Sequence, residues 1–187
     1  MKRKIFSVIA LIVFSIVSVA QSSLPAIDKS PLDISYYPVD YPLLKIKDQA
    51  KEPLAVRVVY SRPKKEGRPV FGTLVEYGKV WRLGANEATE IEFYKQVYIG
   101  GKKIAKGRYT LYAIPNETSW TFILNKETDT WGSFKYNAAK DVARANVPVQ
   151  KTTETVESLA MTFEKAGNTI NLVIAWENVK AALPITF

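Results

Sequence analysis

The chain has 187 residues, with 26 Lys and Arg against 18 Asp and Glu, a formal net charge of +8, and neither cysteine nor histidine. Without these two residue types there is no disulfide, no thiol nucleophile, no Cys or His zinc site and no Ser-His triad. Acid–base chemistry at neutral pH would therefore fall to Asp, Glu, Lys or Tyr. The sequence also contains no Asp-x-Asp cluster of the kind that binds calcium, and we expect neither a metal nor a cofactor.

The N-terminus has the features of a secretory signal peptide over residues 1–20. Residues 2–4 are basic, residues 5–19 form an apolar run, and residues 18–20 (Ser-Val-Ala) form a small-residue cleavage site. The run is shorter than the roughly twenty residues that a bilayer span needs, so we expect cleavage. The mature chain is then expected in the periplasm or the extracellular space, without a membrane span. Its modest positive charge, interspersed with acidic residues, indicates no nucleic-acid partner.

Residues 21–53 are rich in proline and have neither helical nor strand periodicity, which predicts an extended leader. Apolar side chains such as Ile34, Tyr36 and Leu43 suggest that this leader lies along the domain or covers a sheet edge. From residue 54 onward, apolar and polar residues alternate with period two, as in half-buried strands. We therefore expect one β domain over residues 54–187.

The alternation predicts about eight or nine strands separated by Gly, Pro and Asn turns, and hence an all-β antiparallel sandwich or jelly roll. Gly100 and Gly101 suit a hairpin turn, and residues 180–187 are predicted to form a final edge strand. The short segment 136–145 has a helical pattern. The side chains predicted to be buried are Val56, Val58, Ile91, Leu111, Phe122, Leu124, Met161, Phe163, Leu172, Ile174 and Trp176.

Several motifs follow one another in a specific order. They are SRP with a downstream GR (61–68), FGTLVEYGKVWRLGANEAT (71–89), IGGKKIAKGRYTLYAIP (99–115), WTFILNK (120–126) with a later Trp-Gly, and Trp-Glu at 176–177. In this order, and over residues 54–187, the chain resembles the domain of unknown function 2911, a family of exported bacterial proteins. The resemblance implies a secreted or periplasmic β-rich domain and brings no assigned reaction.

The segment 61–89 carries most of the unusual chemistry. Its guanidinium groups suit carboxylates and phosphates, and a neighbouring tryptophan can orient them by stacking. Residues 84–87 (Gly-Ala-Asn-Glu) predict a tight turn in which Gly84 adopts a positive φ. An amide and a carboxylate beside an aromatic ring also suit a sugar. Because turn residues flank each motif, we expect one cluster formed by Arg62, Arg68, Trp81, Arg82, Asn86 and Glu87.

Three functions are compatible with these residues. The leading hypothesis is a non-enzymatic protein that binds a small polar ligand, a carbohydrate or an organic anion, through the predicted cluster. In the second, the protein is a structural or interaction module of the cell envelope whose partner the sequence does not identify, and its arginines brace loops by pairing with Glu76, Glu87, Glu90 or Glu92. In the third, Glu87 serves a glycan hydrolase, but no spacing selects the second carboxylate that such a reaction needs.

We expect export with cleavage after Ala20, which leaves Gln21 as the first residue, because the basic, apolar and small-residue regions stand in the required order. Mass spectrometry of the exported protein tests this. A mature mass that still includes residues 1–20 would contradict it.

Overall fold

The structure, a computed structural model, describes residues 24–187, so the expected signal peptide lies outside the described residues. This part of the chain is all-β, as predicted, and its nine strands form an antiparallel sheet in the order β1-β2-β3-β6-β7-β8-β9-β4-β5. The strands are β1 (Leu32–Tyr37), β2 (Val56–Ser61), β3 (Glu90–Phe93), β4 (Val97–Ile99), β5 (Lys102–Ile104), β6 (Gly107–Pro115), β7 (Ser119–Asn125), β8 (Asp141–Ala166) and β9 (Thr169–Thr186). One α-helix, α1 (Tyr41–Ile46), follows β1. No helix within residues 24–187 is long and apolar enough to cross a membrane.

The long strand β8 joins the two parts of the sheet. Its first residues, up to Pro148, pair with β7, and its later residues pair with β9. The pairing with β9 shifts register on both sides of Val156, and irregularities of this kind bend and twist a strand. The main core takes buried side chains from both parts of the sheet, so the sheet folds around it.

The start of the sheet also contacts β8. Ser35 in β1 donates a hydrogen bond from its hydroxyl to the carbonyl of Met161 at 2.6 Å. Just after β2, Lys64 forms a β-bridge with Ser158, and the amide of Leu159 donates to the carbonyl of Pro63 at 3.0 Å. These contacts hold the segment that follows β2 against the middle of β8.

The core confirms the buried residues that were predicted from the period-two alternation. The eleven side chains predicted to be buried are each no more than 4% exposed. Alternation identified them because successive residues of a strand point to opposite faces of the sheet. The predicted hairpin is also present, with Gly100 and Gly101 between β4 and β5.

The region expected to be a leader contains regular structure. Residues 32–37 form β1, which pairs along its whole length with β2, and α1 follows. The sequence analysis predicted neither element, because prolines interrupt this region. The stretch between Pro31 and Pro38 is also too short to show a clear alternation. By pairing with β2, β1 covers what would otherwise be an exposed edge.

Two predictions near the C-terminal half were wrong. The segment 136–145 is not a helix: it contains a 3-10 turn (Ala138–Lys140) and then the start of β8, in which Ala143 and Ala145 face the core. Alanine favours helices in isolation, but pairing with β7 overrides that preference. Residues 180–186 are not a separate edge strand either, because they continue β9.

Truncation of Ile174 to Ala is expected to lower the free energy of unfolding by about 2–5 kcal/mol, since it opens a cavity in the core at a side chain that is fully buried. The matched control is Ile46→Ala, because Ile46 is 81% exposed and its truncation should change stability by about 0.5 kcal/mol or less. Urea denaturation measures both. Equal losses in the two variants would contradict the assignment of the core.

Candidate functional site

The connection between β2 and β3, residues 62–89, contains no helix or strand of its own. Connections of this length are uncommon in compact domains and often carry function. Isolated β-bridges fix it at three points: Lys64 with Ser158, Trp81 with Ala113 of β6, and Glu87 with Trp131. The connection is therefore ordered by contacts with distant parts of the chain.

Four aromatic side chains, Phe71, Trp81, Trp120 and Trp176, form what we call the aromatic cluster. Trp81 and Trp176 are stacked, with ring centroids 6.1 Å apart and an interplanar angle of 17°. Phe71 lies 5.1 Å from Trp120 between ring centroids. Two of the indole N–H groups are satisfied, since Trp81 donates to the carbonyl of Gly84 at 3.2 Å and Trp176 to that of Glu157 at 3.1 Å. The cluster thus packs the connection against β7 and β9.

Trp81 and Trp176 also line a cavity of about 400 Å³, which we call the arginine cavity. The connection supplies most of its wall, and two residues that precede β1, together with Trp176 of β9, supply the rest. Its lining residues are Lys29, Ser30, Pro63, Lys64, Glu66, Arg68, Leu74, Val75, Trp81, Arg82, Gly84, Ala85 and Trp176. Three of the six predicted site residues are therefore brought together here.

Arg82 brings a buried, unpaired donor to the lining of this cavity. Its Nε is buried and has no hydrogen-bond partner, and no carboxylate within residues 24–187 forms a salt bridge with its guanidinium. Burial lowers the pKa of Arg82 below its ordinary value, because desolvation disfavours the charged form. A buried donor without a partner is costly, so Arg82 is suited to receive an acceptor from outside the chain.

The other charged groups of the arginine cavity make it electropositive. Lys29, Lys64 and Arg68 add three cations to Arg82, whereas Glu66 is the one carboxylate among the lining residues. Glu66 lies 3.7 Å from Arg68 and both side chains are at least half exposed, so this pair is weak. Arg68 also donates to the carbonyls of Lys64 and Lys65 at 2.7 and 2.8 Å, which holds its position at the edge of the cavity.

The backbone around Arg82 differs from the predicted turn. Gly84 does not have a positive φ; Leu83 and Asn86 do, at 57° and 55°. Gly84 instead allows close approach, because a Cβ there would lie 3.3 Å from the carbonyl oxygen of Ser61. A buried leucine in the left-handed region is strained by about 1–3 kcal/mol. Thr89 holds this conformation by donating its hydroxyl to the Leu83 carbonyl at 2.8 Å.

Arg62 has a bracing role and does not line the arginine cavity. Its Nη1 lies 3.0 Å from the carboxylate of Asp33 in β1, and its Nε donates to the carbonyl of Leu159 in β8 at 3.1 Å. The partners expected for the arginines were wrong. Within residues 24–187 Arg62 pairs with Asp33 and Arg68 with Glu66, while Glu90 and Glu92 pair with Arg108 and Arg57.

Asn86 and Glu87 do not line the arginine cavity either, so the expected single cluster is divided. The carbonyl of Asn86 accepts from the amide of Gly132 at 2.9 Å, and Glu87 lines a separate cavity of about 180 Å³ together with Glu90 and Asp129. Both of those carboxylates are paired with Arg108, at 3.3 and 2.6 Å. This arrangement gives the hydrolase hypothesis no support.

Sequence reasoning missed Lys29, Lys64, Leu74 and Trp176 as lining residues of the arginine cavity. Lys64 lies two residues after Arg62, and this run of basic residues could have predicted that Lys64 belongs to the site. Trp176 lies in a distant strand and only its motif marked it. In the described part of the chain, no group of three or more acidic side chains has an arrangement that could hold a metal ion.

Comparison with known proteins identifies a family. The family model described as "Protein of unknown function (DUF2911)" matches residues 43–185. This match covers well over half of the chain, and the chain belongs to that family. Neither curated proteins nor solved structures gave a match.

Replacement of Arg62 by Met is expected to lower the free energy of unfolding by about 1–3 kcal/mol, because Asp33 and the Leu159 carbonyl lose their donor. Replacement of Arg82 by Met keeps an unbranched apolar stem and removes an unpaired buried donor. That variant should keep its stability within about 1 kcal/mol or gain some. Chemical denaturation without ligand compares the two variants, and an equally large loss for Arg82→Met would show that Arg82 is a brace.

Proposed function

We propose that this member of the DUF2911 family is an exported protein that binds a small organic anion, through a carboxylate or phosphate group, in the arginine cavity. One observation carries the proposal: Arg82, whose Nε is buried and unpaired, lines an electropositive cavity. An anionic ligand would supply the acceptor that residues 24–187 do not offer.

The chemistry of the cavity favours an anion that is small. A guanidinium group binds carboxylate or phosphate through parallel N–H donors, and such charge-assisted bonds are about twice as strong as neutral ones. A volume of about 400 Å³ lies in the range of small-molecule sites. Lys64 and Arg68 are exposed and lie where they can attract and orient a second acidic group.

A sugar is less suited to this cavity than an anion. Stacking on a sugar ring needs a free aromatic face, yet Trp81 and Trp176 are only 7% and 3% exposed and stack on each other. Asn86 and Glu87, which were expected to bind the rim of a sugar, do not line the cavity. Of the two ligands in the leading hypothesis, a carbohydrate and an organic anion, we therefore retain the organic anion for the arginine cavity.

Export is part of this proposal and is supported by the sequence of residues 1–20. The compartment, periplasmic or extracellular, fits a protein that has no cysteine and so does not depend on the redox state of its surroundings. The mass measurement on the exported protein tests export separately from ligand binding.

Citrate, succinate and inorganic phosphate are suitable probes for a thermal-shift experiment. Binding only to the folded state adds about 2.7 kcal/mol at a ligand concentration of 100 times Kd, equivalent to about 5–10 °C for a chain of this size. We expect at least one probe to raise the Tm of the wild-type protein and to leave that of Arg82→Met unchanged.

The matched control is Arg57→Met, because Arg57 pairs with Glu92 and does not line the arginine cavity. Arg57→Met should show the same ligand-induced shift as the wild type. The proposal fails if none of the three anions raises Tm, or if Arg82→Met responds as strongly as the wild type.

A further inference from the structure

We propose that the chain has a second binding site, for a neutral carbohydrate, at Trp131 and Phe134. These side chains line a cavity of about 600 Å³, which we call the Trp131 cavity. It shares no lining residue with the arginine cavity. The inference is therefore independent of the anion site.

The exposure of the two aromatic rings is the first observation. Trp131 is 63% and Phe134 is 85% exposed, whereas the other three tryptophans, Trp81, Trp120 and Trp176, are buried. The sequence had marked Trp131 as the tryptophan best placed for exposure, because it lies in an irregular stretch before a glycine. Two large aromatic side chains left in solvent on one short loop indicate a contact surface for a ligand or partner.

The loop that carries the rings is held in place. The backbone of Trp131 forms a bridge with Glu87, and the hydroxyl of Ser133 donates to the carbonyl of Val80 at 3.0 Å. Gly132 has φ 67°, and a Cβ there would lie 2.7 Å from the ring of Phe134. The Phe134 ring therefore lies close over the Gly132 backbone. Rings that are already ordered lose little entropy on binding.

The polar groups around the rings suit a ligand that has both apolar faces and hydroxyl groups. Thr128, Thr130 and Asn137 line the same cavity. A pyranose ring presents C–H groups that pack on an aromatic face and hydroxyls that bond to side chains at its edge. The oxygens of these three side chains already bond within the chain, Thr128 to Asp129, Thr130 to the Tyr112 hydroxyl and Asn137 to the Ala139 amide. Hydroxyl and amide groups have capacity for more than one hydrogen bond, so each can also bond to a ligand hydroxyl.

The charges in the Trp131 cavity argue for a neutral ligand. Glu127 forms a salt bridge with Lys140, and Asp129 forms one with Arg108 at 2.6 Å. The carboxylates that line the cavity are thus compensated, in contrast to the unpaired Arg82 of the arginine cavity. Lys135 also lines the cavity and forms no salt bridge within residues 24–187, but it is exposed and solvent screens its charge. A neutral sugar therefore requires no additional counter-charge here.

Isothermal titration with three neutral hexasaccharides, cellohexaose, hexa-N-acetylchitohexaose and maltohexaose, tests the proposal on the full mature chain. We expect the wild type to bind at least one of them. Trp131→Ala and Phe134→Ala should each weaken that binding by about tenfold or more, because each removes one stacking face. Trp131→Phe keeps an aromatic ring and should retain most of the affinity.

Tyr98→Ala is the matched control, because Tyr98 is also an exposed aromatic residue and lies outside the Trp131 cavity. This variant should bind the hexasaccharide as the wild type does. Unchanged melting temperatures of the Trp131 and Phe134 variants would show that lost binding is not lost folding, and Phe134→Ala alone suffices if Trp131→Ala is unstable.

Two results would overturn the proposal. One is the absence of binding to all three hexasaccharides, or binding that neither alanine variant weakens. The other is a wild-type dimer in sedimentation experiments that Phe134→Ala converts to a monomer, since the rings would then form a contact between copies of the chain.

Discussion

The stacking of Trp81 on Trp176 is the contact on which the rest of the site depends. Trp81 lies in the irregular connection 62–89 and Trp176 lies in β9, so their contact at 6.1 Å joins the connection to the sheet. Phe71 and Trp120 complete the packing around them. Because the two stacked rings are also part of the wall of the arginine cavity, the same contact that orders the connection shapes the cavity.

Arg82 follows Trp81 directly, so the aromatic cluster determines where its guanidinium lies. The strained backbone at Leu83 and the bond from Thr89 to the Leu83 carbonyl restrict it further. The cation is thereby held in a partly desolvated place, and no partner for its Nε lies within residues 24–187. The other arginines of residues 24–187 form salt bridges, as Arg62 does with Asp33. Arg62 therefore braces the fold, whereas the guanidinium of Arg82 is available to a ligand.

The sequence predicted the strands of residues 54–187 well, because large apolar side chains alternate with polar ones and mark the buried face. It failed where the alternation uses small residues, as at Ala143 and Ala145, whose inward positions are determined by pairing with β7. In the site, residue types marked Arg82 and Trp81 as candidates, but they did not predict that Trp81 stacks on Trp176. Trp176 lies in a strand nearly a hundred positions after Trp81, and its proximity to Trp81 depends on the topology of the whole sheet.

The unpaired state of Arg82 can be observed directly by NMR. In a ¹H–¹⁵N spectrum of the arginine Nε–H groups, titration with citrate should shift the Arg82 signal and slow its exchange with water as it gains an acceptor. The Arg62 signal is the internal control, because its Nε already donates to the Leu159 carbonyl, and it should not move. An Arg82 signal that stays unchanged at saturating citrate, or that moves no more than the signal of Arg62, would contradict the account.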